Sequence, residues 1–256
     1  MVEQMAKDLK ENIMSKYSKI IVGGCSFTDK NYPRRAKPKP LDFKMWPELV
    51  GEMYGYEVIN TACCGYGNQA IYHKTLQAIL DNLGNIEHVY IMWSEFSRQD
   101  FLVQNDVDFE TLVPQSKDNR YIETELWYKK AFNLPYPNIS QILYTNLNYI
   151  YSMQMTLKQL GIKYTFCQGT PPMPWFYKEK GQDQETALEL LKHPLIEKID
   201  NFMGWPIIDC IGGYCLKDLC ELTMGASYKV SLIDSHPNEK AQKFIASKLY
   251  EYSGKS

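Results

Sequence analysis

The chain has 256 residues, 45% of them hydrophobic, and its 28 Lys and Arg against 30 Asp and Glu give a formal net charge of −2 at pH 7. This length and apolar content suffice for one domain with a full core on both faces of a sheet. The balanced charge offers no long-range attraction to phosphate backbones, so nucleic acid is not an expected partner.

No apolar run approaches the roughly 20 residues of a membrane span. The first 20 residues mix charged and apolar side chains and lack the apolar core of a signal peptide. We therefore expect a cytoplasmic protein without a membrane partner.

The chain contains seven cysteines: Cys25, Cys63, Cys64, Cys167, Cys210, Cys215 and Cys220. An odd number, with several in apolar runs, favours reduced and mostly buried thiols over a disulfide framework. The last three are spaced C-x4-C-x4-C, and an adjacent pair cannot easily chelate one ion, so the spacing does not indicate a zinc site. We expect no metal, and no cofactor, because no fingerprint for a flavin, a dinucleotide or a P-loop is present.

Short apolar runs alternate with longer amphipathic stretches along the chain. The apolar runs predict strands at 19–24, 57–62, 88–93, 163–168 and 205–210. Apolar residues at three-and-four spacing predict helices at 46–55, 68–83, 139–161 and 238–252. Strands that alternate with helices indicate a parallel sheet covered on both faces.

Two segments depart from this rhythm, about 99–137 and about 171–203, and both are rich in Tyr, Trp, Pro and charge. We expect them to be irregular insertions in a single domain spanning 1–256. Long irregular connections in compact domains are often lids or binding loops, although plain surface elaboration remains an alternative. The aromatic residues that favour ligand contact are Trp127, Tyr128, Trp175, Phe176 and Tyr177.

The stretch "IVGGCSFTD", residues 21–29, marks the end of the first predicted strand. Two consecutive glycines indicate a place where the backbone turns sharply or approaches another group closely. In an open parallel sheet, ligands bind beyond the carboxyl ends of the strands. The loops at that edge bring together Ser26, Gly65, Gly67, Asn68, Ser94, Arg98, Asp234 and His236.

Three of these residues have the types needed for nucleophilic catalysis. A serine becomes a nucleophile when an imidazole takes its proton and a carboxylate orients that imidazole. Ser26, His236 and Asp234 supply these groups, and a tight turn would let Asp234 reach the ring two residues later. Each also has a structural reading, as a helix cap, a turn residue or a packed histidine.

An oxyanion also needs hydrogen-bond donors, and backbone N–H groups at a glycine-rich bend serve well. The N–H groups of Ser26 and Gly65 are the candidates, with the Asn68 side chain beside them. Gly67 is the alternative to Gly65.

The blocks "IVGGCSFTD", "VINTACCGYGNQAI" and "LIDSHPNEKAQKFIASKLYEY" resemble those of the SGNH (GDSL-type) hydrolase superfamily. The resemblance implies a flavodoxin-like α/β/α sandwich of about five parallel strands and ester hydrolysis or acyl transfer through a serine acyl-enzyme. It makes Ser26 the nucleophile, His236 the base and Asp234 its orienting partner. Gly65 and the Ser26 amide become the oxyanion donors.

Two positions depart from that family pattern. Cys25 stands where an aspartate is usual; it is a rival nucleophile, but we expect it to pack inward. The third block, "MWSEFSRQD", has no asparagine, so Ser94 is a candidate replacement donor. Arg98 could hold a substrate carboxylate, phosphate or sugar oxygen, or simply pair with Glu95 or Asp100.

The leading hypothesis is therefore a serine esterase for a small-molecule or glycan ester, with acetyl groups on a carbohydrate as the expected substrate. Two alternatives stay open. The chain could transfer the acyl group to an acceptor other than water, or it could be a non-catalytic carbohydrate-binding or structural protein that keeps the hydrolase fold. The oligomeric state cannot be read from the sequence.

Overall fold

The computed structural model describes residues 19–32, 42–102, 109–112, 138–173, 182–232 and 234–254. Its strands are β1 Lys19–Gly23, β2 Glu57–Asn60, β3 Ile86–Trp93, β4 Gln99–Leu102, β5 Phe109–Leu112, β6 Lys163–Gln168 and β7 Phe202–Met203. Its helices are α1 Trp46–Tyr54, α2 Asn68–Asp81, α3 Ile139–Leu160, α4 Gln182–Lys192, α5 Leu216–Met224 and α6 Glu239–Ser253. Single 3₁₀ turns lie at Asp209–Ile211 and Gly225–Tyr228.

Five strands form one parallel sheet in the order β2-β1-β3-β6-β7. In the register of this sheet, Ile21 of β1 lies between Ile59 of β2 and Val89 of β3. The chain runs outward from β1 in both directions, so the loops after β1 and β3 leave the sheet next to each other. This is the kind of position at which open α/β sheets bind ligands.

Side chains that alternate along β1 pack on opposite faces of the sheet. Ile20 and Val22 belong to one buried cluster, which includes residues of α1, α5 and α6. Ile21 belongs to the other, which includes residues of α2, α3 and α4. The predicted fold class, a three-layer α/β/α sandwich with five parallel strands, is confirmed.

The predicted strand at 205–210 is wrong. The fifth strand of the sheet is Phe202–Met203, and the chain after it forms a turn and a 3₁₀ turn. Gly204 (φ +85°) and Ile207 (φ +63°) adopt left-handed backbone angles that a strand cannot accommodate. Pro206 between them has no N–H to give to a neighbouring strand.

Regular elements occur within both segments that the sequence predicts as irregular insertions. The first begins with an antiparallel hairpin of β4 and β5, and the second contains α4. The aromatic residues expected to contact a ligand lie outside the described residues: Trp127, Tyr128, Trp175, Phe176 and Tyr177.

The cysteines agree with the sequence prediction. All seven lie in the described ranges as free thiols, and five of them are buried. Among the helices described, none combines the length and the apolar character needed to cross a bilayer.

Candidate active site

A tight turn follows β1 and separates two neighbouring side chains. The Cys25 carbonyl accepts the N–H groups of Thr28 and Asp29, each at 2.9 Å. Cys25 is 1% exposed and packs in the core cluster beneath α2 and α3. The Ser26 hydroxyl instead meets His236, so the turn presents the hydroxyl at the site and keeps the thiol in the core.

The structure decides between the two readings of the glycine pair. Neither Gly23 nor Gly24 has a positive φ. A Cβ on Gly23 would lie 2.1 Å from Thr75 Oγ1, and one on Gly24 would lie 2.3 Å from Thr28 Oγ1. The glycines are therefore needed for close packing and not for an unusual backbone angle.

Ser26, His236 and Asp234 form one chain of hydrogen bonds. His236 Nε2 lies 2.8 Å from Ser26 Oγ, and His236 Nδ1 lies 2.7 Å from Asp234 Oδ1. A carboxylate only accepts, so Nδ1 carries the proton and Nε2 presents its lone pair to the serine. The backbone N–H of His236 also donates to Asp234 Oδ1, at 3.2 Å, which closes the two-residue turn.

The electrostatics of this chain favour an ionised carboxylate. The hydrogen bond from the His236 side chain, helped by the His236 backbone N–H and by Tyr32, holds the pKa of Asp234 well below its usual range against the opposing effect of burial. At neutral pH Asp234 is therefore an acceptor that fixes the histidine tautomer.

Two aromatic rings that the sequence did not single out enclose the imidazole. The Tyr32 ring centroid lies 3.7 Å from that of His236, and Phe27 makes an edge contact at 5.3 Å. The His236 side chain keeps 22% of its surface exposed. Nothing in the residue types alone marks Tyr32, because its contact with the triad depends on the turn after Ser26.

The glycine block lies against the nucleophile turn. Cys64 N donates to Asp29 Oδ2 at 2.8 Å, and Cys63 N donates to the Gly24 carbonyl at 3.3 Å. The next residue, Gly65, is buried and has φ +94°. Within the described ranges, no hydrogen bond occupies the N–H of either Ser26 or Gly65.

Asn68 does not have the role that the sequence suggested. Its side chain is 1% exposed, and its Nδ2 donates to Asn146 Oδ1 at 2.7 Å and to the Ser94 carbonyl at 3.3 Å. Both amide hydrogens are thereby used inside the protein. We therefore assign no oxyanion contact to Asn68, whose side chain instead joins the loop after β3 to α2 and α3.

Gly67 needs the same correction, whereas Ser94 uses only its backbone groups inside the protein. Gly67 N donates to the buried Asp100 carboxylate at 2.9 Å, so it is not free to replace Gly65. Ser94 is fully buried, and its N–H donates to Asn68 Oδ1 at 2.7 Å. Gly67 therefore cannot offer its N–H to a ligand in this arrangement, whereas the Ser94 hydroxyl makes no hydrogen bond among the described residues and stays a proposed donor.

Arg98 pairs with Glu95, as the second of its two predicted roles required. Its Nε pairs with Glu95 Oε2 at 3.0 Å, and both side chains are 11% exposed. Its Nη1 donates to the Tyr66 carbonyl at 3.1 Å. Arg98 therefore ties the loop after β3 to the glycine block, and its charge is already compensated by Glu95.

A cavity of about 790 Å³ lies beyond β6 and β7, between the loops that follow them and α5. Pro171, Ile207 and Tyr214 are among its lining residues, and none of the eight candidate residues is. It shares an edge of the sheet with the triad but contributes no group to it. Among the described residues, no cluster of His, Cys, Asp or Glu could hold a metal ion.

Comparison with known proteins gives structural matches only. No family model matches the chain, and no curated protein matches it. The matching solved structures include a psychrotrophic esterase from Pseudoalteromonas sp. (11% identity, TM-score 0.49, 93% of this chain and 97% of that chain). An acetylxylan esterase from Geobacillus stearothermophilus has 11% identity and a TM-score of 0.49, over 93% of this chain and 94% of that chain. Another acetyl xylan esterase has 14% identity and a TM-score of 0.46, over 91% of this chain and 98% of that chain. At such values the activity must be argued from the site itself.

Proposed function

We propose that this protein is a serine esterase of the SGNH type. The observation that supports it is the hydrogen-bonded chain from Ser26 through His236 to Asp234, with distances of 2.8 and 2.7 Å. The three sequence blocks that resemble the superfamily contribute the serine, the glycine loop and the Asp-x-His turn. These segments, far apart in the chain, meet at one edge of the sheet.

In the proposed reaction, His236 Nε2 accepts the hydroxyl proton as Ser26 Oγ attacks the ester carbonyl. The imidazolium that forms stays bonded to Asp234, and it then gives its proton to the leaving alcohol. Water attacks the resulting acyl-enzyme, with His236 again as the base, and releases the acid. Charge is balanced at each step, and no bound cofactor takes part.

The backbone N–H groups of Ser26 and Gly65 are the proposed oxyanion donors. They carry no hydrogen bond within the described ranges, and their two loops are joined by the bonds from Cys63 and Cys64. Such a donor typically contributes about 3 kcal/mol to lowering the barrier. The third block has no asparagine, and the Asn68 side chain bonds inside the protein, so the Ser94 hydroxyl, which has no partner among the described residues, stays the candidate replacement.

For the substrate, we propose small acyl esters, with acetyl groups on sugars as the first class to test. The His236 imidazole reaches the surface, where a substrate can approach it. Acyl transfer to an alcohol in place of water would share the same acyl-enzyme, and product analysis with an added acceptor distinguishes the two.

The test is steady-state kinetics on short-chain aryl esters and acetylated oligosaccharides. Ser26→Ala and His236→Ala should each lower kcat by about 10⁶-fold. Ser227→Ala, at an exposed serine whose hydroxyl donates to the nearby Met224 carbonyl, should keep wild-type rates. Undiminished turnover in Ser26→Ala would contradict the proposal, and a folded wild type that binds glycans without turnover would support the non-catalytic alternative.

A further inference from the structure

Tyr32 bonds to the carboxylate that orients His236. It is 7% exposed, and its hydroxyl lies 2.9 Å from Asp234 Oδ1 and 3.0 Å from Asp234 Oδ2. One O–H thus faces both oxygens of the same carboxylate. The two hydrogen bonds between His236 and Asp234, by contrast, both go to Oδ1.

This geometry restricts the rotation of the carboxylate. The Asp234 side-chain torsion is broad when nothing fixes it, and a carboxylate held at one oxygen can still swing the other. A donor placed between the two oxygens opposes that motion. A hydrogen bond to a charged acceptor is also stronger than one between neutral groups.

The Tyr32 ring also contacts the His236 imidazole directly. Its centroid lies 3.7 Å from that of the His236 ring, with 31° between the planes. The ring therefore lies over the imidazole and limits its rotation away from Ser26. The face of an aromatic ring also attracts a cation, and the imidazole becomes one during the proposed reaction.

We propose that Tyr32 is a positioning residue for the triad: its hydroxyl holds Asp234 and its ring holds His236 in the orientation that places Nε2 at Ser26 Oγ. The effect on kcat rests on the proposed esterase function, whereas the positioning of Asp234 and His236 by Tyr32 does not.

Tyr32 acts as a donor and not as a base. Burial, and the hydrogen bond to Asp234, raise the pKa of Tyr32 well above its usual value. The hydroxyl thus keeps its proton over the working pH range. It takes part by position, without a proton transfer of its own.

The first test compares Tyr32→Phe with a matched control, Tyr164→Phe. Tyr164 is also a buried tyrosine whose hydroxyl donates to a carboxylate, that of Asp200, but it lies near the amino end of β6, away from the triad. We expect Tyr32→Phe to lower kcat about 10- to 100-fold, as for the loss of one charge-assisted hydrogen bond, with KM changed less than about twofold. Tyr164→Phe should leave kcat unchanged while losing a comparable fraction of stability.

A second test needs no turnover. The Nδ1 proton of His236, bonded to a carboxylate, should give a protected signal in proton NMR far downfield of the amide region. We expect this signal in the wild type, in Ser26→Ala and in Tyr164→Phe, and its broadening or loss in Tyr32→Phe. Tyr32→Leu, which also removes the ring, should lose it completely.

The outcomes separate the two claims. Wild-type kcat together with an unchanged downfield signal in Tyr32→Phe would overturn the positioning role. A changed signal in a protein that hydrolyses no ester would support the positioning role while removing the proposed function. A stability loss equal to that of Tyr164→Phe with no change in kcat or in the signal would make Tyr32 merely structural.

Discussion

At the scale of single residues, the decisive feature is the turn that separates Cys25 from Ser26. The more reactive atom type, the thiol sulfur, is 1% exposed in the core. The hydroxyl lies 2.8 Å from the imidazole. Position therefore favours the Ser26 alcohol over the Cys25 thiol as the proposed nucleophile, although a free thiolate is intrinsically more reactive.

Cys25→Ala tests this selection. We expect kcat to change by less than about threefold, and the free energy of unfolding to fall by about 1 kcal/mol because the substitution leaves a small cavity in the core. Kinetics and urea unfolding measure the two effects. Loss of activity in a folded Cys25→Ala protein would return the thiol to consideration.

Asp234 should make stability depend on acid pH. Its pKa is lower in the folded than in the unfolded chain, so the stabilisation is complete above the ordinary aspartate pKa of about 4. It is lost as the pH falls through the lower folded-state value. The difference in unfolding free energy between the wild type and Asp234→Asn should therefore begin to narrow below about pH 4 and keep narrowing as the pH falls further. The exposed Asp209→Asn should follow the wild-type curve, and a constant gap between wild type and Asp234→Asn would contradict this account.

At the scale of elements, a buried carboxylate joins the β4–β5 hairpin to the start of α2. Asp100 Oδ1 accepts from Gly67 N (2.9 Å) and Thr111 Oγ1 (2.6 Å), and its Oδ2 accepts from Ala70 N (2.9 Å). Gly67 is the N-cap residue of α2, and it has no side chain that could accept a hydrogen bond from the first N–H groups of the helix. A residue 33 positions away therefore satisfies the N–H groups that begin the helix.

Asp100→Asn should destabilise the protein by about 1 to 3 kcal/mol, because the new NH₂ group faces a donor where an acceptor is needed. Asp81→Asn is the matched control, at an exposed aspartate near the end of the same helix. It should change stability by less than about 0.5 kcal/mol. Equal midpoints for the two variants in urea unfolding would show that Asp100 does not support the helix.

At the scale of the whole molecule, two buried clusters hold the helices to the sheet. Leu249 of α6 is fully buried in one of them, whereas Leu222 of α5 is 87% exposed. Leu249→Ala should lower the free energy of unfolding by about 2 to 5 kcal/mol. Leu222→Ala should lower it by less than about 0.5 kcal/mol. Thermal unfolding measures both, and similar losses would contradict the assignment of the core.

The sheet could be predicted from the sequence because its inner strands are continuous apolar runs. Such a run indicates a buried strand whatever the packing of the side chains around it. The turn that replaces the predicted strand at 205–210 could not be predicted, since Gly204 and Ile207 take left-handed angles that residue types alone do not disclose. The meeting of Ser26, His236 and Asp234 at one edge of the sheet was predictable from residue type and order along a parallel sheet; their catalytic roles are a proposal. The bonding of Asn68 inside the protein was not predictable, because it depends on loops whose geometry no periodicity encodes, whereas the Arg98–Glu95 pair was one of the two roles predicted for Arg98.

Labelling of the folded protein with a fluorophosphonate at neutral pH, followed by mass spectrometry of the modified peptide, asks whether Ser26 is an activated nucleophile. We expect one adduct, on Ser26, that is absent in both Ser26→Ala and His236→Ala. An adduct on another residue, or none in well-folded protein, would contradict the claim that Ser26 is an activated nucleophile.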